Sequence, residues 1–272
     1  MVTHSRRDVV ALLEAHGLTP SRALGQNFVV DPNTVRRIAR LADVGVGDHV
    51  IEIGPGLGSL TLALVETGAR LDVVEVDRYV MPVLREVVEP HGVVVHHGDA
   101  LEFDFSPLTA GQPAIVVANL PYNVATPLVL RLLEDVPDVT RMLVMVQREV
   151  GERMAAGPGD EAYGAVSVRI AYFAQARVVG GVPPTVFYPR PKVESALVEL
   201  RRRPAVAVDL SFVGESELFT VVRQAFQQRR KMLRRSLADW ATEGVFERAG
   251  IDGTRRPEEL SLEEFATLAA SR

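Results

Sequence analysis

Five short runs of apolar, largely β-branched residues punctuate the first 150 positions: His49-Val50-Ile51-Glu52-Ile53, Leu71-Asp72-Val73-Val74-Glu75-Val76, Val93-Val94-Val95-His96, Ala114-Ile115-Val116-Val117-Ala118 and Met142-Leu143-Val144-Met145-Val146. Runs this short with so little alternation predict strands covered on both faces, as in a parallel sheet. Helical spacing of apolar residues over 59 to about 67, 79–88, 125–135 and 147–155 places helices between and after them, the order of an α/β sheet with crossover helices. Upstream, Val9, Val10, Leu12 and Leu13 predict a helix over 5–16 closed by Gly17. Asp31-Pro32 reads as the N-cap and first position of a second helix through 42.

The second half changes character twice. Gly157-Pro158-Gly159 breaks the helix before it, and 166–173 is apolar enough for a buried helix. Residues 176–179 and 195–200 then alternate like an antiparallel pair, joined by Val182-Pro183-Pro184-Thr185-Val186-Phe187-Tyr188-Pro189-Arg190-Pro191-Lys192, whose four prolines stiffen the connection. After Arg201-Arg202-Arg203-Pro204 the pattern is helical, over about 215–227, 230–241 and 262–270. The expected organisation is an α/β domain over 1–203 and a helical domain over 204–272.

In such sheets, ligands bind beyond the carboxyl ends of the strands, so the residues there carry the chemistry. Gly54-Pro55-Gly56-Leu57-Gly58 follows the first strand and opens a helix, letting a ligand approach the backbone at Gly54 and Gly56. Its G-x-G-x-G spacing differs from the G-x-G-x-x-G that seats a dinucleotide pyrophosphate, which disfavours a nicotinamide dehydrogenase. Glu75, twenty-one residues after Gly54, stands where a carboxylate accepts from ribose hydroxyls. Asp99 ends the third strand, either as a turn aspartate or as an acceptor for the exocyclic amine of a cofactor base.

Asn119-Leu120-Pro121-Tyr122 leaves the fourth strand. Asn119 offers an amide oxygen, Pro121 holds Leu120 extended so that its carbonyl is free to accept, and Tyr122 presents a flat ring. Two acceptors beside a ring suit a planar amine. Held by both N–H groups, an adenine N6 is drawn toward a tetrahedral nitrogen whose lone pair can attack a methyl group. Phe187 and Tyr188 lie beside Arg190 and Lys192, an interleaving of aromatic and basic residues that grips unstacked bases and phosphates. Tyr122 and Phe187 are therefore expected to sandwich an extruded base, a core position being the readier alternative for Tyr188 than for Phe187.

Composition narrows these options. Of 272 residues none is cysteine, which removes thiolate metal sites, iron–sulfur clusters and the cysteine nucleophile that pyrimidine C5 methylation needs. The six histidines have no metal-ligand spacing, and no metal is expected. There is no apolar run of the roughly eighteen residues that span a bilayer and no signal-peptide core at the start, so a cytoplasmic protein without membrane partners is expected. Net charge is -5, yet residues 188–235 hold eleven Arg or Lys against five Asp or Glu, a balance of +6 that leaves -11 elsewhere. Arg229, Arg230, Lys231, Arg234 and Arg235 concentrate it, with little acid nearby in sequence. Both that cluster and Arg190 and Lys192 are candidate RNA contacts.

Gln26-Asn27-Phe28, Glu52-Ile53-Gly54-Pro55-Gly56-Leu57-Gly58, Glu75-Val76-Asp77, Gly98-Asp99-Ala100-Leu101, Asn119-Leu120-Pro121-Tyr122-Asn123 and Val186-Phe187-Tyr188-Pro189-Arg190-Pro191-Lys192-Val193 occur in that order. Together they resemble the ribosomal RNA adenine N6,N6-dimethyltransferase family, in particular its bacterial small-subunit (16S) branch. The similarity runs from about Ser21 to the last helix, with Gln227-Gln228-Arg229-Arg230-Lys231-Met232-Leu233 resembling a C-terminal signature in which Thr is usual where Met232 stands. The resemblance implies a class I S-adenosylmethionine-dependent methyltransferase fold, a Rossmann-like, mainly parallel seven-stranded sheet followed by a small all-α domain. It implies S-adenosylmethionine as cofactor, touched by Asn27, Val29, Gly54, Glu75, Asp99 and Asn119, with 26–27 forming a lid. It further implies a monomer that dimethylates two adjacent adenosines near the 3′ end of 16S rRNA in the 30S subunit or its precursor, with a part in assembly. A macrolide-resistance methyltransferase acting on 23S rRNA and a non-catalytic RNA-binding assembly factor are the alternatives.

Overall fold

The computed structural model describes residues 3–208, 214–242 and 244–272. In chain order the elements are α1 (Arg6–Ala15), β1 (Phe28–Val29), α2 (Pro32–Ala42), β2 (His49–Ile53), α3 (Ser59–Val65), β3 (Arg70–Glu75), α4 (Met81–Val88), β4 (Val94–His97), α5 (Ser106–Thr109), β5 (Ala114–Asn119), α6 (Ala125–Asp135) and β6 (Val139–Gln147). They continue with α7 (Arg148–Ala155), α8 (Ala165–Phe173), β7 (Ala174–Val182), β8 (Phe187–Tyr188), β9 (Ser195–Arg202), α9 (Glu215–Gln227), α10 (Leu233–Ser236), α11 (Val245–Ala249) and α12 (Leu262–Ala270).

Seven strands form one sheet in the order β4-β3-β2-β5-β6-β9-β7. The neighbours from β4 to β6 run parallel and β9 lies antiparallel to β6, from Arg141 opposite Arg201 to Gln147 opposite Ser195. All five β-branched runs become strands: β2 is buried at every position, whereas β4, at the sheet edge, leaves Val94 and His97 exposed. The chain leaves β2 toward β3 on one side, while β5 pairs with β2 on the other. Connections therefore diverge between β2 and β5, and a crevice opens beyond their carboxyl ends.

Local signals set the first helices. Asp31 accepts from the Thr34 N–H with Pro32 at the first position of α2, and Ser5 forms a capping box with Asp8 at α1. The two-residue strands β1 and β8 pair antiparallel in a separate sheet, Phe28 opposite Tyr188 and Val29 opposite Phe187. No periodicity can announce strands this short.

The chain divides into two compact units, residues 1–151 with 177–202, and residues 152–176 with 203–272. The second thus includes α8, which the pattern along the chain groups with the sheet. Tyr163, Val168 and Tyr172 share its core with Leu218, Leu233, Trp240 and Phe265. One expectation is corrected: the helix over 230–241 is confined to Leu233–Ser236. Met232 takes an extended backbone, and the N–H groups of Leu233 and Arg234 donate to the carbonyls of Arg255 and Gly253. These long-range bonds replace a preceding helical turn. A further short helix, α11, has no counterpart in the hydrophobic pattern.

Candidate active site

A pocket opens at the carboxyl edge of the first unit's sheet, walled by the glycine loop, Glu75, Asp99, Asn119 to Asn123 and the segment from Ala23 to Val29. Backbone at Gly56 is in the left-handed region (φ +56), and a Cβ there would lie 2.8 Å from the Phe28 ring. The loop can thus sit against the N-terminal segment only with glycine. Gly25 (φ +64) does the same across the pocket, where a Cβ would come within 3.3 Å of Pro121 and 3.2 Å of the Asn123 side chain.

Glu75, 5% exposed, accepts from the Gly56 N–H at 3.0 Å through one oxygen and from the Asp77 N–H at 2.9 Å through the other. Burial raises its pKa above the ordinary carboxylate value, against the pull of those two N–H groups. The carboxylate both ties the glycine loop to β3 and keeps lone pairs for a ligand. Gln26 donates to Asp77 at 2.7 Å and accepts from the Ser21 N–H at 2.8 Å, fastening the N-terminal segment over the same strand end. Asp99 is exposed, with one oxygen accepting from the Leu101 N–H at 2.9 Å, so the turn leaves its other oxygen available.

At the exit of β5, Asn119 donates through its side-chain amide to the Asn27 carbonyl at 3.1 Å. Its NH2 is committed to protein, which assigns the remaining side-chain atom, Oδ1, as an acceptor. The Asn27 side chain donates to the Gly25 carbonyl at 2.9 Å. Leu120 is buried, its N–H donating to the Met145 carbonyl at 3.0 Å. The Pro121 carbonyl accepts from the N–H groups of Val124 and Ala125, turning the chain directly into α6. Tyr122 is half-buried on the pocket wall, and burial raises its pKa above the ordinary phenol value.

Two expectations meet a different arrangement. Phe187, expected as the second face of a base clamp, is 1% exposed and packs in the core with Val29, Val182 and Leu197; it is not part of the pocket wall. The run of cations also proves less free than its sequence neighbourhood implies. Arg229 donates to Glu258 at 2.6 Å and to the Glu161 carbonyl at 2.6 Å, acids distant in sequence having been brought to it. Arg201 pairs with Glu199, and Arg202 donates to the carbonyls of Leu132, Leu133, Val136 and Val139 at 2.7–3.0 Å, closing the end of α6. Arg190 and Lys192 in the first unit, and Arg230, Lys231, Arg234 and Arg235 in the second, are exposed.

Glu52, at the head of the glycine-loop motif, has an unusual environment. It lies on the pocket wall, 1% exposed, and accepts from the Thr61 hydroxyl at 2.6 Å. Burial pushes its pKa up to about 8, with the nearby Glu75 adding to the effect. The visible signal is an acid inside an otherwise apolar strand. Between pH of about 4.5 and 8 the folded protein holds a proton here that the unfolded chain has released, so this group's contribution to stability falls as pH rises through that window. Glu52→Gln is therefore expected to gain stability relative to the wild type, without added ligand, as pH goes from about 5 to 8; thermal unfolding of both proteins across that range measures the widening gap.

The sheet order, the antiparallel pairing of β9 with β6 and a pocket over the switch point define a class I methyltransferase fold. Two solved structures share it: the 23S rRNA methyltransferase ErmE, with a TM-score of 0.70, 24% identity and coverage of 90% of this chain and 98% of that one, and a dimethyladenosine transferase from Plasmodium falciparum, at 0.72, 24%, 88% and 94%. At the level of sequence, the family model described as ribosomal RNA adenine dimethylase matches residues 18–271. Proteins named ribosomal RNA small subunit methyltransferase A are similar to nearly the whole chain. The one from Thermobifida fusca is 46% identical over 97% of this chain and 94% of its own length, and the one from Leifsonia xyli subsp. xyli 47% identical over 95% of each. The chain belongs to the ribosomal RNA adenine dimethylase family.

Proposed function

We propose that this enzyme uses S-adenosylmethionine to dimethylate, at N6, two adjacent adenosines near the 3′ end of 16S rRNA within the 30S subunit or its precursor, with a part in subunit assembly. The observation that carries the reading is the commitment of the Asn119 amide to the Asn27 carbonyl. It leaves a fixed acceptor at the strand exit, in the same pocket as Glu75.

The pocket's own atoms suit the cofactor. Missing side chains at Gly54 and Gly56 leave room against the backbone, Glu75 is held to accept from ribose hydroxyls, and Asp99 keeps an oxygen for an exocyclic amine. Ser59, on the same wall, has a buried hydroxyl without a hydrogen-bond partner among the described residues. Asn27 and Val29 would close the site from the N-terminal side. When bound, S-adenosylmethionine supplies a methyl group on a sulfonium, an electrophile that needs no metal or covalent enzyme intermediate.

The residues prepare the nucleophile. Asn119 Oδ1 and the Leu120 carbonyl would accept the two N6–H groups of an extruded adenine, with Pro121 restricting the backbone of Leu120. The Tyr122 ring would stack on the base, an interaction worth about 1 to 3 kcal/mol. Phe187 could supply the opposite face only after leaving its place in the core. Arg190, Lys192 and the exposed cations around 230–235 would hold phosphates, while Arg229 is already engaged.

Glu75→Ala is expected to weaken S-adenosylmethionine binding by about ten- to hundredfold, and Glu75→Gln, which keeps one acceptor, by less. Calorimetry measures both, and unchanged affinity in the alanine variant would reject the ribose role. Incubation of small and large ribosomal subunits lacking their respective marks, followed by mass spectrometry of the modified nucleosides, tests the substrate. Dimethyladenosine at adjacent positions of 16S rRNA is expected; labelling of large-subunit RNA alone would favour the 23S alternative.

A further inference from the structure

Tyr122 is anchored at its far end. Its hydroxyl lies 2.9 Å from Ser195 Oγ, 73 residues away in sequence and across the sheet. The main chain of the tyrosine is already fixed by the turn around Pro121 into α6. An aromatic side chain has two rotatable bonds, and holding it at its Cβ and at its hydroxyl fixes the first of them, so the long axis of the ring keeps one direction.

The anchor is rigid for reasons visible in β9. Ser195 is 1% exposed and opens the strand, opposite Gln147 in the antiparallel pairing with β6. One step outside the ladder, the Arg148 N–H donates to the Glu194 carbonyl at 3.0 Å, so the backbone on both sides of Ser195 is bonded. The residues that follow, Ala196, Leu197 and Val198, are buried. Nothing near Ser195 is free to follow a moving ring. Ser195 is not on the pocket wall, and it therefore acts only through Tyr122.

We propose that Ser195 is a positioning residue for methyl transfer: its hydroxyl fixes the direction and place of the Tyr122 ring against which the target base stacks. This rests on the reading of Tyr122 as a stacking platform. On this reading the hydroxyl of Tyr122 serves the bond to Ser195, and the part of the ring is to present a flat apolar face.

Orientation should suffer more than affinity. A ring released from Ser195 still offers a face, but the base no longer rests at one angle to the Asn119 acceptor, and small misplacements of a reacting group are costly in rate. Ser195→Ala is expected to lower kcat about tenfold, with KM for RNA changed less than about threefold. Tyr122→Phe removes the other half of the same bond and is expected to match it. Because the two lesions break one interaction, the double variant should be no slower than either single one.

The measurements are single-turnover methylation of 16S rRNA in subunits lacking the mark, and fluorescence of a short target RNA carrying 2-aminopurine in place of a target adenine. Stacking on Tyr122 is expected to quench the bound probe in the wild type, less so in Ser195→Ala and Tyr122→Phe. Calorimetric binding of S-adenosylmethionine at wild-type affinity establishes that each variant is folded. Should Ser195→Ala misfold, Tyr122→Phe carries the same test from the other partner. Wild-type rate and quenching in either single variant, or losses that multiply in the double variant, would overturn the proposal. If Tyr122→Ala leaves probe quenching unchanged, the underlying platform reading fails, and the role of Ser195 with it.

Discussion

Replacing Asn119 by alanine is expected to slow methyl transfer by about 100- to 1,000-fold, the range observed when one pre-aimed polar partner of a transition state is removed. On the proposed reading the acceptor is aimed because its amide group is already spent on the Asn27 carbonyl at 3.1 Å, so no reorganisation would be needed as charge builds on N6. Alanine also leaves that carbonyl without its partner, which loosens the N-terminal segment. Calorimetry with S-adenosylmethionine measures how much of the loss lies in cofactor binding, to which Asn119 and the segment it holds also contribute, and single-turnover rates at saturating cofactor read the transfer step.

The two rounds of methylation should respond differently. After the first methyl, N6 retains one hydrogen, and two acceptors cannot both be satisfied. If the methyl lies toward Leu120, the remaining hydrogen falls to Asn119, and the variant should accumulate monomethyladenosine. Mass spectrometry of the time course reads this directly. Equal slowing of both rounds would contradict that division of labour.

The second large effect concerns RNA. Arg230→Glu with Arg234→Glu reverses two exposed charges in the second unit and is expected to weaken binding to the small subunit by at least tenfold near physiological salt. The log–log salt dependence should become shallower by about one unit for each phosphate no longer neutralised. Affinity for S-adenosylmethionine should be preserved. Filter binding across a salt series checks the first two outcomes. Arg229 is the instructive contrast, because its ion pair with Glu258 makes it part of the unit's own structure. Its replacement should lower thermal stability as well as RNA binding.

The centre of the sheet is legible in the sequence because its strands are buried on both faces, and burial of that kind selects uninterrupted β-branched runs such as Ala114 to Ala118. Glycine spacing and the acid at Glu75 are legible for a related reason, since a ligand approaching the backbone limits which residues can stand there. The fate of individual cations is not. Arg202 caps a helix that ended some 65 residues earlier, and Arg229 meets an acid 29 residues later. No local pattern encodes either partner. Phe187 misleads through the company it keeps: Arg190 and Lys192 are exposed, but its own side chain faces the core. The helix expected over 230–241 fails to extend because backbone bonds to Gly253 and Arg255 outweigh local propensity.

The strand β9 touches the segment between Tyr122 and Val136 at both ends, through Ser195 at its start and Arg202 at its finish. This matters for a chain emerging from the ribosome. Glu75, Asp99 and Asn119 have all been synthesised by the time α6 is complete, whereas the strand that braces α6 and the tyrosine arrives only after α7 and α8. A nascent chain that stops short of residue 195 therefore carries every cofactor-contact residue proposed above but lacks the residue proposed to hold the tyrosine. In the order of synthesis, the residues assigned to the methyl donor precede the one assigned to steady the base.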